Sequence, residues 1–250
     1  MAKTGLREPL VHAPQGSQKA YAYRDNMGLI NSAEWVVVFD DFLKAEQATE
    51  NQVGWTSIID SGATIVDGNE HGGVIDISSD GVDEGAVMYG NLGVKLNGKR
   101  FFMEARVKVE DADDNIVAIG LSDLTSTTNP EDLWTTQSDF IAFGNITDGD
   151  ATPKLFYDKD NGGPVTETPS GTTYDLADGT WHVIAIAFNG ASTLTDGSLK
   201  AYVDGVEAAS ADTEAQVPDD LPLAPFFGVR LEDDATDVCS IDYVRVVVER

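Results

Sequence analysis

A single cysteine, Cys239, stands in the 250 residues, so no disulfide can form within the chain and the fold must rest on its own core. Set in "DVCSIDYVRVVV", it reads as a small buried hydrophobe rather than a reactive thiol. Histidine is almost as scarce. His12, His71 and His182 are widely spread and offer no spacing for a zinc site or a triad, and His182 beside Trp181 reads as a strand-packing residue. Neither standard form of glycine-rich phosphate loop occurs. No apolar run reaches the ~18–20 residues of a membrane span, and the N-terminus lacks a signal-peptide apolar region. The expectation is a soluble chain not routed by a standard secretion signal. Basic residues are few: 16 Lys and Arg against 43 Asp and Glu give a formal charge of −27. Such a surface repels phosphate backbones and anionic bilayers, which excludes nucleic acid and membrane as direct partners.

What the sequence does hold is β-structure. From Trp35 onward, short apolar or alternating runs follow one another, among them "EWVVVFDDF", "RFFMEARVKVE", "WHVIAIAF" and "SIDYVRVVVE". Gly, Asp, Asn and Pro clusters separate most of them. About twelve to fourteen strands with almost no helix imply two packed antiparallel sheets; "FLKAEQATENQ" is read as a short helix or loop. In "SLKAYVDGVEAAS", Asp204-Gly205 between two alternating runs predicts a hairpin, because a type I′ turn needs φ > 0 at both central residues. Leu199, Ala201 and Val203 then share one face, with Lys200 and Tyr202 on the other, as in a half-buried hairpin at a sheet edge.

Residues 1–33 differ from the rest. Lys3, Arg7, Lys19 and Arg24 against Glu8 and Asp25 make this stretch +2, which leaves −29 for the remainder. It has no sustained period, and Pro9, Pro14, Gly5, Gly16 and Gly28 interrupt any helix or strand. Yet Leu6, Leu10, Tyr21, Tyr23, Met27, Leu29 and Ile30 recur through it, unlike a solvated tail. The reading is an extended N-terminal arm over 1–33, able to reach on the order of 100 Å. A sandwich domain over 34–250 follows it.

The series "FFMEARVKVE … IVAIGLSD … DFIAFGN … KLFYDKDNGG … GTWHVIAIAFNG … SLKAYVDGVEAAS … PFFGVRLEDDATDVCSIDYVRVVVER" resembles the concanavalin A-like lectin/glucanase jelly roll, close to its laminin-G-like members. The resemblance spans about residues 40–250, and the Trp181-His182 strand followed by the Leu199–Gly205 hairpin is its most specific part. The terminal "IDYVRVVVER" resembles the closing strand of such domains in tailed-phage structural proteins. The fold implied is all-β, a two-sheet jelly-roll sandwich. It serves lectins, glycanases and virion proteins alike, so function must come from sites.

Glycanases of this family carry Glu-x-Asp-x-x-Glu on one strand, which sets paired carboxylates on the concave face as acid and nucleophile. The nearest match is "EDDATD", with Glu232, Asp234 and Asp237, but it ends in the shorter Asp and reads as a loop. No catalytic residue is assigned, and the chain is read as a non-enzyme. The family's rim calcium would suit "EDADDN" (110–115), "TDGD" (147–150), "YDKDNGG" (157–163) or "LEDDATD". Asp158, Asp160 and Asp234 are the weak candidates, since the same letters around Asn161 make an ordinary Asn-Gly turn; otherwise no cofactor is expected. Trp134, in the long loop 122–139, is the candidate sugar platform, its bland alternative being a cover for the sandwich edge.

Together these readings point to a phage capsid decoration or cement protein, made in the host cytoplasm and sitting on the capsid exterior. Its partners would be the major capsid protein or neighbouring virion subunits, with a homo-oligomer, for instance a trimer, expected. Leu6, Arg7, Leu10, Lys19, Tyr21, Tyr23 and Arg24 of the arm would make the contact. A lectin-like module of a fibre or tailspike that recognises host glycans is the alternative, and a glycanase the third.

Overall fold

The computed structural model describes residues 35–40, 55–68, 73–81, 83–123, 130, 139–145, 150–159, 164–167, 174–190, 198–211, 217–218, 220–231 and 237–249. Within them lie fifteen strands: β1 (Trp35–Asp40), β2 (Trp55–Ile59), β3 (Ala63–Asp67), β4 (Ile75–Ser79), β5 (Glu84–Gly90), β6 (Arg100–Val109), β7 (Ile116–Ser122), β8 (Phe140–Asn145), β9 (Lys154–Asp158), β10 (Val165–Glu167), β11 (Trp181–Asn189), β12 (Leu199–Val203), β13 (Val206–Ser210), β14 (Ala224–Leu231) and β15 (Val238–Glu249). That is one more than the upper expectation of fourteen. The reading of 42–52 as a helix or loop lies outside the described residues. Among the described residues no helix is long and apolar enough to cross a membrane.

The strands form two antiparallel sheets. An eight-stranded sheet runs β13-β12-β11-β6-β15-β4-β3, with β1 also on β15; a seven-stranded sheet runs β10-β9-β8-β7-β14-β5-β2. The twelve residues of β15 serve two neighbours in turn, β4 along Val238–Ile241 and β1 along Val244–Glu249. A register shift between Ile241 and Tyr243 opposite β6 separates the two halves. Alternation sends Phe101, Met103, Ile184, Ile186, Val244 and Val246 inward from one sheet to meet Met88, Ile119, Ile141, Phe143 and Phe227 from the other. Trp55 lies edge-on to Phe227 with ring centroids 5.6 Å apart. Each such large side chain contributes about 1.5–3 kcal/mol through burial, which is how the fold does without disulfides. Cys239 is part of this core, and burial, with Asp76 nearby, pushes its thiol up to about 12. It is inert packing, as its strand setting implies.

The hairpin forms as the Asp-Gly pair dictates. Asp204 has φ +49 and Gly205 φ +76, the two positive values a type I′ turn requires. Leu199, Ala201 and Val203 join the main core. The difference lies on the other face: Tyr202 is buried with Phe102, Ala185, Ala187 and Val247, so the hairpin is covered on both sides near its middle.

Candidate functional site

The outer face of the seven-stranded sheet, the side turned away from the core, is where the family resemblance directs the search. Alternation puts Val87 and Tyr89 of β5, Ile116 and Ala118 of β7, Phe140 and Ala142 of β8 and Phe226 of β14 on it. A solvent-facing site would show polar side chains here, yet Val87, Ala118, Phe140, Ala142 and Phe226 are each 0% exposed. Pro130 is one reason: it is buried, and its Cβ lies 2.8 Å from the point a Cβ on Gly228 would occupy. Gly228 is therefore the seat on which this proline rests. Asp158, at the end of β9, is the one carboxylate at a strand position of this face, opposite Phe140 in register. Its Oδ1 accepts the Lys159 N–H at 2.8 Å, and its Oδ2 is buried without a hydrogen-bond partner. A glycosidase needs a second carboxyl about 5–9.5 Å away. None stands at the described strand positions of this face.

Of the acidic rim loops, "EDADDN" (110–115) is described throughout and is tied down by hydrogen bonds. The Asn145 amide donates to the carbonyl of Asn115 at 2.5 Å and also to that of Ala112. Asn115 donates in turn to Asp237 Oδ2 at 2.8 Å, while Asp178 Oδ1 accepts the Ala112 N–H at 3.0 Å. Asn145 thus bridges two carbonyls of "EDADDN", and Asp237 is held on Asn115. Among the described residues no three His, Cys, Asp or Glu side chains gather as a metal site. Asp160, Asp234, Trp134 and the arm residues Leu6, Arg7, Leu10, Lys19, Tyr21, Tyr23 and Arg24 lie outside the described residues.

Two further clusters sit on the eight-stranded sheet. Trp181 is flanked by cations, with Arg106 Cζ 4.5 Å and Lys108 Nζ 5.0 Å from its ring centroid, while Arg106 pairs with Asp242. His182 clamps the hairpin. Its Nε2 accepts the Ala177 N–H at 3.0 Å, so Nδ1 carries the proton and donates to Asp204 Oδ2 at 2.8 Å. Asp204 Oδ1 accepts the Val183 N–H at 2.9 Å. Packing alone did not foretell this role; the signal was the Asp of the turn facing the His of the neighbouring strand. Burial raises the Asp204 carboxyl, but the hydrogen bonds from His182 and Val183 outweigh it and hold the group below the usual carboxylate range. A depressed folded-state value stabilises the fold above the unfolded value of about 3.9, and the effect fades as pH falls through the folded value. Asp204→Asn keeps the left-handed turn, which Asn tolerates, and replaces one acceptor by a donor. Its melting temperature is expected to fall below that of the parent at neutral pH, with the gap closing as the pH falls below about 4. A gap independent of pH in thermal melts would contradict this.

The model of the concanavalin A-like lectin/glucanases superfamily matches residues 80–247. Solved structures agree in fold. The Emp47p carbohydrate recognition domain superposes with a TM-score of 0.56 at 11% identity, covering 87% of this chain and 98% of that one. An endo-1,3-beta-glucanase from Streptomyces sioyaensis gives 0.54 at 13% identity, covering 86% and 97%. A protein of unknown function from Shewanella oneidensis MR-1 gives 0.56 at 14% identity over 97% of both chains. No protein in a search of curated sequences matches.

Proposed function

The chain belongs to the concanavalin A-like lectin/glucanase superfamily, and from that premise we propose that it is a non-enzymatic structural protein of a virion, a bacteriophage capsid decoration or cement protein. One observation carries the non-enzymatic part: the outer face of the seven-stranded sheet is filled with buried apolar side chains under Pro130 and has Asp158 alone for a carboxylate at its described strand positions. Acid and nucleophile, or acid and base, cannot both be drawn from it. The virion assignment is supported by the resemblance of "IDYVRVVVER" to the closing strand of phage structural domains and by the contrast between a +2 arm and a −29 body. The acidic body faces solvent on the capsid exterior. The arm lies along the major capsid protein or a neighbouring copy.

A lectin-like module of a fibre or tailspike is the second reading. It is favoured by the fold shared with the Emp47p carbohydrate recognition domain and with peanut lectin. Purified protein is expected to release no sugar from β-glucans, laminarin, agar or alginate, and Asp158→Asn is expected to change nothing in reducing-sugar assays. Reproducible hydrolysis lost in Asp158→Asn would overturn the non-enzymatic reading. Saturable binding on a glycan array without turnover would shift it to the lectin.

A further inference from the structure

Asn-Gly occurs three times in the sequence, at Asn97-Gly98, Asn161-Gly162 and Asn189-Gly190. In this dipeptide an asparagine side chain closes most readily on the next main-chain nitrogen, because glycine has no Cβ to obstruct the approach. The fold treats the two described copies differently. Asn97 is exposed at the tip of the link between the Val94–Leu223 bridge and β6. The Lys99 N–H donates to the Leu96 carbonyl at 2.8 Å, and the positive φ falls on Gly98, at +67, as in a type II turn. Among the described residues, the Asn97 side chain and the Gly98 N–H make no hydrogen bond. Nothing stands within 4 Å of where a Cβ on Gly98 would be. Asn189 is also exposed, but it ends β11 paired with Arg100, and its N–H donates to the Ser198 carbonyl at 3.0 Å. A Cβ on Gly190 would meet Arg100 Cγ at 2.7 Å and the Arg100 main-chain nitrogen at 3.1 Å. Asn161-Gly162 lies outside the described residues.

We propose that Asn97 is a self-modifying site, converted in the folded protein to aspartate and isoaspartate with water as the only other reactant. The Gly98 nitrogen gives up its proton and attacks Asn97 Cγ. The new N–Cγ bond forms as the Cγ–Nδ2 bond breaks, and the side-chain nitrogen leaves with that proton as ammonia. Water then opens the five-membered imide. Addition at Cγ returns an ordinary aspartate; addition at the Asn97 main-chain carbonyl carbon leaves the chain running through the side-chain carboxyl, as isoaspartate. No oxidant or reductant is involved. The attack needs the Asn97–Gly98 peptide to rotate out of its turn setting, and the Lys99–Leu96 hydrogen bond is what holds it there. At Asn189-Gly190 the same rotation pushes against the start of β6. Either product adds one negative charge to the −27 that the chain carries. Isoaspartate also lengthens the main chain by one methylene, between Leu96 in the core and Arg100, whose N–H, Nε and Nη2 hold Glu249 at 3.0–3.1 Å. The change therefore falls at the start of β6, the strand that β11 and β15 flank. The inference stands on the turn and does not need the virion.

Incubation of the full-length protein in heavy-oxygen water at mildly alkaline pH, followed by peptide mapping in ordinary water, tests it. Heavy oxygen marks only the conversion that takes place during the incubation. In the folded protein, solvent oxygen is expected to replace the side-chain nitrogen of Asn97 severalfold faster than that of Asn189. The rate at Asn97 is expected to rise with pH, because the attacking nitrogen must lose its proton. In urea, where the fold holds neither dipeptide, the two rates are expected to converge. An Asn97 that persists in the folded protein while the unfolded chain converts it would overturn the proposal, since the turn would then be protective. Equal rates at Asn97 and Asn189 in the folded protein would overturn it as well, since the conversion would owe nothing to the fold.

Discussion

Gly144→Ala is expected to abolish the cooperative fold or to cost about 3 kcal/mol or more, an effect at the upper end for a single methyl group. A Cβ at Gly144 would stand 1.9 Å from the Val117 carbonyl oxygen and 2.8 Å from the Ala118 Cα, both main-chain atoms of β7. Gly120, two rungs along, is as tight, with the Ile141 carbonyl oxygen 1.8 Å from its would-be Cβ. These glycines let β7 and β8 approach through Ala118–Gly144 and Gly120–Ala142 pairs in the middle of the seven-stranded sheet. A flexible side chain could swing aside, but a ladder cannot open at one rung without losing the hydrogen bonds beside it. Urea unfolding followed by circular dichroism measures the loss. A Gly144→Ala protein within about 1 kcal/mol of the parent would mean that the two strands can separate and that the close approach is not required.

Removal of residues 1–19 is expected to leave the sandwich at its parental melting temperature and to abolish attachment to the particle. Every described strand begins at Trp35 or later, so none of them is removed. What disappears is Leu6 and Leu10, which bury apolar area at about 25 cal/mol per Å², and Lys3, Arg7 and Lys19, which answer acidic surface. The charged part is screened beyond a Debye length of about 8–10 Å, so reversing the three charges weakens attachment most at low salt. Truncating the two leucines weakens it at any salt.

The strands were legible because each needs only a few residues of alternation bounded by turn formers, and the Asp204-Gly205 turn because its chemistry is local. What the sequence could not disclose was cover. Val247, Phe102 and Tyr202 read as the solvent side of half-buried strands, yet they are buried together in one cluster. The same holds for Phe140, Ala142 and Phe226: alternation finds which side they share, but Pro130 on Gly228 joins residues about a hundred positions apart. The apolar character of both strand faces was the available signal, since "IVAIGLS" and "FIAFGN" have no polar side to turn to water. The acidic loops are only partly described, and their letters alone do not decide between turn and cation site. What the letters could not show is the local pairing, in which the Asn145 amide holds the Asn115 carbonyl and the Asn115 amide holds Asp237.

Electron cryomicroscopy of the native particle tests the structural role most directly. The account predicts repeated density for the two-sheet sandwich on the capsid exterior, with the arm running from it along the shell, and bare sites on particles offered the chain that starts at residue 20. Density for the sandwich only at fibre tips, full occupancy by the shortened chain, or particles without the protein at all would contradict it.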